Sequence, residues 1–333
     1  MARDEAHPPN GRRLPSGRAW RSVAAGFLLG VVFPALVACS PPDRPPRLPG
    51  GLPPSVVPGL DDPKVWPLSA GPGLAYFQIL AVEGPWAIHL LRVDLNRCDL
   101  GFRVLKAPAQ GGTPGGRSRM TELSAAEGVE ILAAVNGDFF TPEGLPLGTE
   151  VVEGRLYHWA TRPTFAWRPG GGPWMGLTEA QGDSVLVPGR DLLSGEAHGA
   201  MEAIGGFPLL LQGGQRVGDL EVAERPAFAA ARHPRTALGF DSRHNLLWVA
   251  VVDGRQPGYS EGMTLPELAG LLEALGADEA LNLDGGGSSV MVLRGVAVSR
   301  PSDATGERPV VNGLGIRRDP SLCRTAGLNA PGR

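Results

Sequence analysis

Two aspartates stand directly after apolar runs that predict buried strands. Asp253 follows LLWVAVV at residues 246–252, and Asp284 follows ALNL at residues 280–283. A pair of carboxylates can act on a glycosidic bond as acid, base or nucleophile. Aspartate at a strand end is also a common turn former, so a catalytic and a structural interpretation both stand at this stage.

The loop after Asp284 joins three glycines, residues 285–287, to a pair of serines, Ser288 and Ser289. Glycine lets backbone N–H groups approach a ligand closely, and backbone nests of this kind bind anions such as phosphate. Arg235 and Arg255 can each hold phosphate oxygens through a two-point contact. The loop therefore predicts a phosphate site, with a tight structural turn as the alternative.

Composition and spacing exclude several other kinds of site. The net charge is −3, so no basic excess exists to hold a nucleic-acid backbone. The glycine loop lacks the lysine of a Walker loop, and Val290 stands where a nucleophile elbow needs glycine. An apolar strand follows the loop where a dinucleotide-binding motif needs a helix. The six histidines lack metal-ligand spacing, which argues against a zinc enzyme.

The segment 237–293 contains both aspartates, Asp253 and Asp284, and the elements that should position them. A capping box, Thr264 to Glu267, starts a helix between the two apolar runs, and Gly276 ends it. Strand, helix and strand in this order predict a parallel pair with a right-handed crossover, so both aspartates lie at one edge of the sheet. The 48 glycines and 33 prolines favour short elements. The expected fold is a strand-rich single domain, α+β or mixed α/β, in which this βαβ unit carries the site loops.

The N-terminal sequence predicts an export signal. An arginine-containing polar stretch precedes an apolar run, Val23 to Ala38, that ends in LVAC at Cys39. We interpret residues 1–38 as a lipoprotein signal peptide and Cys39 as the lipidation site; a plain secretory signal or an uncleaved anchor are the alternatives. Residues 39–73 are rich in proline and predict an extended tether. The expected location is a membrane-anchored lipoprotein of the outer membrane and periplasm or the cell surface.

Two further cysteines, Cys98 and Cys323, lie near the two ends of the expected folded part. An exported protein meets an oxidising environment, in which such a pair can form a disulfide. Two separate buried thiols are the alternative.

Six short motifs occur in an order typical of one family. They are Asn136-Gly137-x-Phe139-Phe140, His233-Pro-Arg-Thr-Ala-Leu-Gly239, Asp253-Gly-Arg255, Thr264-Leu-x-Glu-Leu-Ala269, Leu281-Asn-Leu-Asp-Gly-Gly-Gly-Ser288 and Pro301-Ser-Asp303. The set resembles the phosphodiester glycosidase family over nearly all of the folded part. We therefore expect a family domain at 74–318 and a tail at 319–333. Asp138 departs from the family's lysosomal member, which has a small residue there, and is not carried over as a shared catalytic group.

The resemblance implies a hydrolase that breaks the C1–O bond of a sugar-1-phosphodiester and releases free sugar and a phosphomonoester. Asp253 and Asp284 are the catalytic candidates. The candidates for binding sugar or phosphate are Asn136, Arg235, Thr236, Gly254, Arg255, Asn282, Gly285, Gly286, Gly287 and Ser288. Expected partners are a sugar-phosphate small molecule or an envelope or extracellular glycan, together with the membrane through the lipid anchor.

Two other functions stay open at the level of sequence. One is a non-catalytic envelope protein that binds sugar-phosphate polymers with the same loops. The other is a metal-assisted phosphodiesterase, in which the oxygens of Asp253, Asn282 and Asp284 hold Mg²⁺ or Ca²⁺. No cofactor is certain, and a divalent cation is the one candidate.

Overall fold

The computed structural model describes residues 63–82, 84–109, 115–126, 128–181, 184–186, 201–217 and 226–324, with residues 52, 56 and 220. The predicted signal peptide and the predicted lipidation site, Cys39, lie outside the described residues. No helix in the described part is both long enough and apolar enough to cross a membrane.

Strands dominate the described part of the chain. In chain order they are β1 (Lys64–Gly71), β2 (Leu74–Ala81), β3 (Trp86–Asp94), β4 (Leu100–Lys106), β5 (Glu130–Asn136), β6 (Glu150–Val152), β7 (Arg155–His158), β8 (Pro163–Trp167), β9 (Trp174–Leu177), β10 (Glu179–Gln181), β11 (Ser184–Leu186), β12 (Glu202–Gly205), β13 (Leu209–Gln212), β14 (Gln215–Arg216), β15 (Arg235–Asp241), β16 (Leu246–Val252), β17 (Glu279–Asn282), β18 (Met291–Leu293), β19 (Val296–Ala297) and β20 (Asn312–Arg318). The helices are α1 (Met120–Ala126), α2 (Pro226–Ala230) and α3 (Leu265–Ala274).

These strands form three main sheets. The first has the order β1-β2-β3-β16-β15-β17-β13-β14, the second β19-β18-β5-β20-β4, and the third β7-β6-β12-β8-β9. Helix α3 covers one face of the first sheet, and the other face packs on the second and third sheets. Helix α1 covers the outer face of the second sheet. The strand-rich fold with few helices agrees with the expected mixed α+β class.

Strand β16 shows why the central strands are apolar throughout. Leu247, Val249 and Val251 face the core shared with the other sheets, whereas Trp248 and Ala250 face α3. Successive side chains of a strand point to opposite faces, so a strand covered on both faces needs a continuous apolar run.

The crossover between β16 and β17 differs in one respect from the expectation. The two strands run parallel, but β15 lies between them and pairs antiparallel with both. A short turn at residues 242–245 connects β15 to β16, and the two strands pair as a hairpin. The other side of β15 pairs with β17. The predicted helix is present as α3, and Thr264 and Glu267 form both bonds of the capping box.

The folded part begins earlier than residue 74. Strand β1, inside the predicted tether 39–73, pairs with β2 at the edge of the first sheet. Its mostly exposed side chains and Pro67 suit an edge strand and give no periodic apolar signal. Leu52 and Val56 are fully buried against the α3 side of the first sheet.

A disulfide joins Cys98, in the β3–β4 turn, to Cys323 near the end of the described chain. It lies beside a cavity of about 370 Å³ whose lining includes Asn245, the residue before β16. The predicted tail from residue 319 thus begins with residues tied to the domain, since Leu322 is buried as well.

Candidate active site

Three strand ends meet at one edge of the first sheet. Asp253 follows β16, Arg235 begins β15, and Asp284 comes shortly after β17. Arg235 pairs with Val252, and Ala237 pairs with Asn282. The structure therefore brings both predicted catalytic aspartates to the same edge, as the parallel direction of β16 and β17 requires.

Asn136 ties this edge to the second sheet. Its Nδ2 donates to the backbone carbonyl of Asp284 at 2.6 Å. Its Oδ1 accepts from Thr236 Oγ1 at 2.7 Å and from the backbone N–H of Val290 at 3.1 Å. Asn136 and Thr236 are fully buried, so both side chains fix the loops that meet here.

Asp284 is the carboxylate of this edge that reaches solvent in part. Its Oδ1 accepts the backbone N–H of Gly285 at 2.8 Å. Burial raises its pKa to about 6, while the Ser288 hydroxyl, the Gly285 N–H, Arg308 and Arg255 oppose that rise. The group therefore exchanges its proton in the mildly acidic range, which suits acid–base or nucleophilic work near neutral pH.

The glycine loop makes room for guanidinium groups. A Cβ at Gly286 would lie 3.1 Å from both terminal nitrogens of Arg255, and a Cβ at Gly287 would collide with the Arg308–Asp303 pair. Arg308 Nε and Nη2 hold the two oxygens of Asp303 at 2.8 and 3.0 Å. Two arginines thus lie against the loop that carries Asp284.

Backbone N–H groups of this loop donate hydrogen bonds within the protein, whereas the predicted phosphate site needs them to be available to a ligand. The N–H of Gly285 is bonded to Asp284 Oδ1, and the N–H of Gly286 donates to the carbonyl of Pro234 at 2.9 Å. The N–H of Ser288 donates to the Gly285 carbonyl within a short 3₁₀ turn. Close approach of side chains therefore explains the glycines better than an amide nest does.

Arg255 is well placed for an anion. It is exposed, it adopts a left-handed backbone with φ 58°, and its Nη2 lies 3.4 Å from His233 Nδ1. Burial and the neighbouring arginines lower the pKa of His233, which keeps that imidazole neutral near pH 7. Gly254 lets the chain pass close to Pro234 and Gly262 just before Arg255.

The guanidinium of Arg235 binds backbone carbonyl groups of the protein. It is buried and donates to the carbonyls of Met263, Phe228 and Ala231 at 2.8, 2.6 and 3.0 Å. Burial, then the charge of Arg255, lowers its pKa to about 10. Three of its donors hold backbone, so its position favours the exposed Arg255 over Arg235 as a phosphate contact.

Asp253 is enclosed. His89 Nε2 lies 3.1 Å from Asp253 Oδ2, and Tyr259 donates its hydroxyl to the same oxygen at 3.0 Å. The N–H of Arg300 donates to both carboxylate oxygens, at 2.9 and 3.1 Å. With 1% of its surface exposed, Asp253 holds the start of the loop that carries Asp303 and Arg308.

Asn282 is fully buried behind Asp284. Its Nδ2 donates to the carbonyls of Phe207 and Leu283 at 2.7 and 2.8 Å. Its Oδ1 has no hydrogen-bond partner among the described residues. In that part of the chain no group of three or more His, Cys, Asp and Glu side chains is arranged as a metal site.

Three charged residues of the site were not among the sequence-based candidates. Arg308 follows the Pro301-Ser302-Asp303 motif by a few residues, so that motif was the available signal. Asp138 lies next to Gly137, whose carbonyl accepts the N–H of Asp284 at 2.9 Å. Arg162 has no sequence signal, because only the fold places its charge beside Asp138.

Comparison with known proteins identifies the family. The family model described as phosphodiester glycosidase matches residues 130–317. N-acetylglucosamine-1-phosphodiester alpha-N-acetylglucosaminidase of Mus musculus is 31% identical over 238 residues, which cover 69% of this chain and 43% of the relative. The Bos taurus protein of the same name is 30% identical over 248 residues and 42% of its length. The chain thus spans about two-fifths of the length of these relatives.

Solved structures share the fold. A hypothetical protein from Synechocystis aligns with a TM-score of 0.60 at 18% identity, over 78% of this chain and 64% of the other. The zebrafish N-acetylglucosamine-1-phosphodiester alpha-N-acetylglucosaminidase catalytic domain, auto-inhibited by its pro-peptide, aligns with a TM-score of 0.54 at 21% identity, over 78% and 82%. A Burkholderia pseudomallei protein inferred to be exported gives 0.53 at 22%, over 72% and 75%. With its family match over more than half of its length, this chain belongs to the phosphodiester glycosidase family.

Proposed function

We propose that the protein is a hydrolase that cleaves the C1–O bond of a sugar-1-phosphodiester, releasing free sugar and a phosphomonoester. One observation carries the proposal. In a chain of this family, the partly exposed carboxylate of Asp284 interacts electrostatically with two guanidinium groups, those of Arg255 and Arg308. The mouse and bovine relatives are named for such a bond to N-acetylglucosamine, which makes that sugar the first to test.

The chemistry follows from the charges. Arg255 and Arg308 hold the phosphate oxygens and stabilise the negative charge that collects on the departing phosphomonoester. Phosphate leaves readily, so less proton donation is needed than for an ordinary glycoside. Ionised Asp284 faces the positive charge that develops at C1 or attacks that carbon, and water supplies the new hydroxyl.

Asp253 acts in this proposal as a positioning residue. Its carboxylate is occupied by His89, Tyr259 and the Arg300 N–H, so it fixes the loop that presents Arg308. Asn136 and Thr236 act in the same way on the backbone of Asp284.

The proposed setting is the cell envelope. The apolar run that ends in LVAC supports lipidation at Cys39, and the Cys98–Cys323 disulfide suits an oxidising compartment. Envelope or extracellular glycans with sugar-1-phosphate linkages are the substrates that such an anchored enzyme meets.

Isotope placement tests the reaction. The full-length chain, purified in detergent, is incubated in ¹⁸O water with UDP-N-acetylglucosamine and with methyl diesters of several sugar-1-phosphates, with and without EDTA. Cleavage at C1 places the label in the sugar, whereas cleavage at phosphorus places it in the phosphate and points to a phosphodiesterase. Loss of turnover with EDTA supports a divalent cation, and binding without turnover supports the non-catalytic alternative.

A further inference from the structure

Asp138 is a buried carboxylate with an unused oxygen. It is 1% exposed, and its Oδ2 accepts the N–H of Gly148 at 2.5 Å. Its Oδ1 has no hydrogen-bond partner among the described residues. Since an unsatisfied buried acceptor destabilises the fold, a native protein that keeps one invites a functional explanation.

Arg162 supplies the complementary unused donor. Its Nη1 is buried and has no hydrogen-bond partner in the described part of the chain. The guanidinium stacks on the rings of Phe139 and Phe207, at 5.7 and 5.1 Å from their centroids. Because Phe139 directly follows Asp138, this stacking places the guanidinium near the Asp138 carboxylate, whose ionised form its charge stabilises.

Both groups are anchored to the loop of Asp284. The N–H of Asp284 donates to the carbonyl of Gly137, directly before Asp138. The N–H of Phe207 donates to the carbonyl of Asn282 at 2.8 Å, and the N–H of Gly206 donates to that of Pro163, the residue after Arg162, at 2.9 Å. The carboxylates of Asp138 and Asp284 interact electrostatically.

The ligand chemistry follows from this donor and acceptor set. A carboxylate oxygen accepts a hydroxyl hydrogen, and a guanidinium N–H donates to a hydroxyl oxygen, so two neighbouring hydroxyls of a sugar satisfy both. The rings of Phe139 and Phe207 hold the guanidinium of Arg162 in position for that contact. The proposed phosphate contacts, Arg255 and Arg308, are separate from this donor and acceptor set.

We propose that Asp138 and Arg162, with Phe139 and Phe207, form a sugar-hydroxyl subsite that holds two neighbouring hydroxyls of the ring whose C1 lies at Asp284. This rests on the proposed function, since it names the part of the substrate that the site reads.

Single-hydroxyl deletions test the subsite. The parents are UDP-N-acetylglucosamine and UDP-glucose, and the analogues lack one sugar hydroxyl each. For the full-length wild type, Asp138→Asn and Arg162→Gln, kcat/KM is measured from free sugar, and Kd by calorimetry. We expect Asp138→Asn to weaken the parent by roughly 10- to 100-fold and to have no effect on the analogue that lacks the hydroxyl bound by Asp138. Arg162→Gln should likewise weaken the parent and have no effect on the analogue that lacks the same hydroxyl or the adjacent one.

The controls separate the possible causes. Arg216→Gln removes an exposed arginine paired with Glu273, and its losses must be the same for every analogue. Equal losses for Asp138→Asn on parent and all analogues overturn the subsite and mark Asp138 as structural or as the holder of a water. If the wild type yields no free sugar, the proposed function fails, but the Kd values across the analogues still test the subsite. If the wild type binds none of the sugars, the subsite is overturned.

Discussion

Asn136 Nδ2 donates a 2.6 Å hydrogen bond to the backbone carbonyl of Asp284, although Asn136 ends a strand of the second sheet and Asp284 follows a strand of the first. The amide oxygen of the same asparagine holds Thr236 at the start of β15. The position of the proposed catalytic carboxylate is therefore set where two sheets meet. It depends on both sheets being folded, which links activity closely to global stability.

Asp284→Asn should abolish turnover and leave the fold intact. The amide keeps the shape of the side chain and removes the charge that faces C1, so we expect kcat to fall on the order of 10³-fold or more. The melting temperature should hold or rise, because burial already disfavours that charge. Free sugar is measured by mass spectrometry. Asp241→Asn, at the far end of β15, is the control, and turnover retained by Asp284→Asn would remove Asp284 from the chemistry.

Gly287→Ala should damage the site by displacing the Arg308–Asp303 pair. The added Cβ has no room beside this pair. We expect kcat/KM to fall roughly 10- to 100-fold, as misplacement of a charged contact by about 1 Å can do. Gly128→Ala is the matched control, because a Cβ there meets nothing within 4 Å. Equal activity of the two variants would show that Arg308 does not need its present position.

Asp138→Asn should stabilise the protein in a pH-dependent manner. Burial raises the pKa of Asp138 to about 7, and the charge of Asp284 adds to that rise. The unfolded chain releases this proton near pH 4, so wild type loses stability as the pH rises from about 4 to 7. The variant avoids that loss, and its advantage should grow over this range to at most about 4 kcal/mol. Urea unfolding at pH 4.5, 6 and 8 measures it; an advantage independent of pH would contradict the buried carboxylate.

Replacing Cys98 and Cys323 by serine should weaken the fold by about 2–5 kcal/mol without impairing the site. The disulfide adjoins the Asn245 end of β16, whereas Asp253 follows the other end. The seven residues of β16 lie between Asn245 and Asp253, a distance of roughly 25 Å along an extended strand. Unfolding in urea with and without reductant gives the stability, and kcat/KM at 20 °C gives the activity. A proportionate loss of both would show that the site depends on this link.

Local patterns in the sequence predicted much of what surrounds Asp284. The apolar runs, the capping box at Thr264 and the glycine loop are short-range signals, and all three are present. Asp253 shows where such signals stop. Its enclosure depends on His89 and on Arg300, both far from it in the chain, and β15 enters between β16 and β17 because of a hairpin pairing. The electrostatic influence of Arg162 on Asp138 likewise arises only after the sheets assemble.

The burial of Leu52 bears on where the proposed enzyme can work. With a lipid on Cys39, about a dozen residues lie between that anchor and the buried Leu52. Fully extended, such a segment reaches at most about 45 Å, roughly one domain diameter. The accessible substrates would then be those attached to or lying on the same membrane, and a linkage deeper in a thick polymer layer would have to be brought to the enzyme.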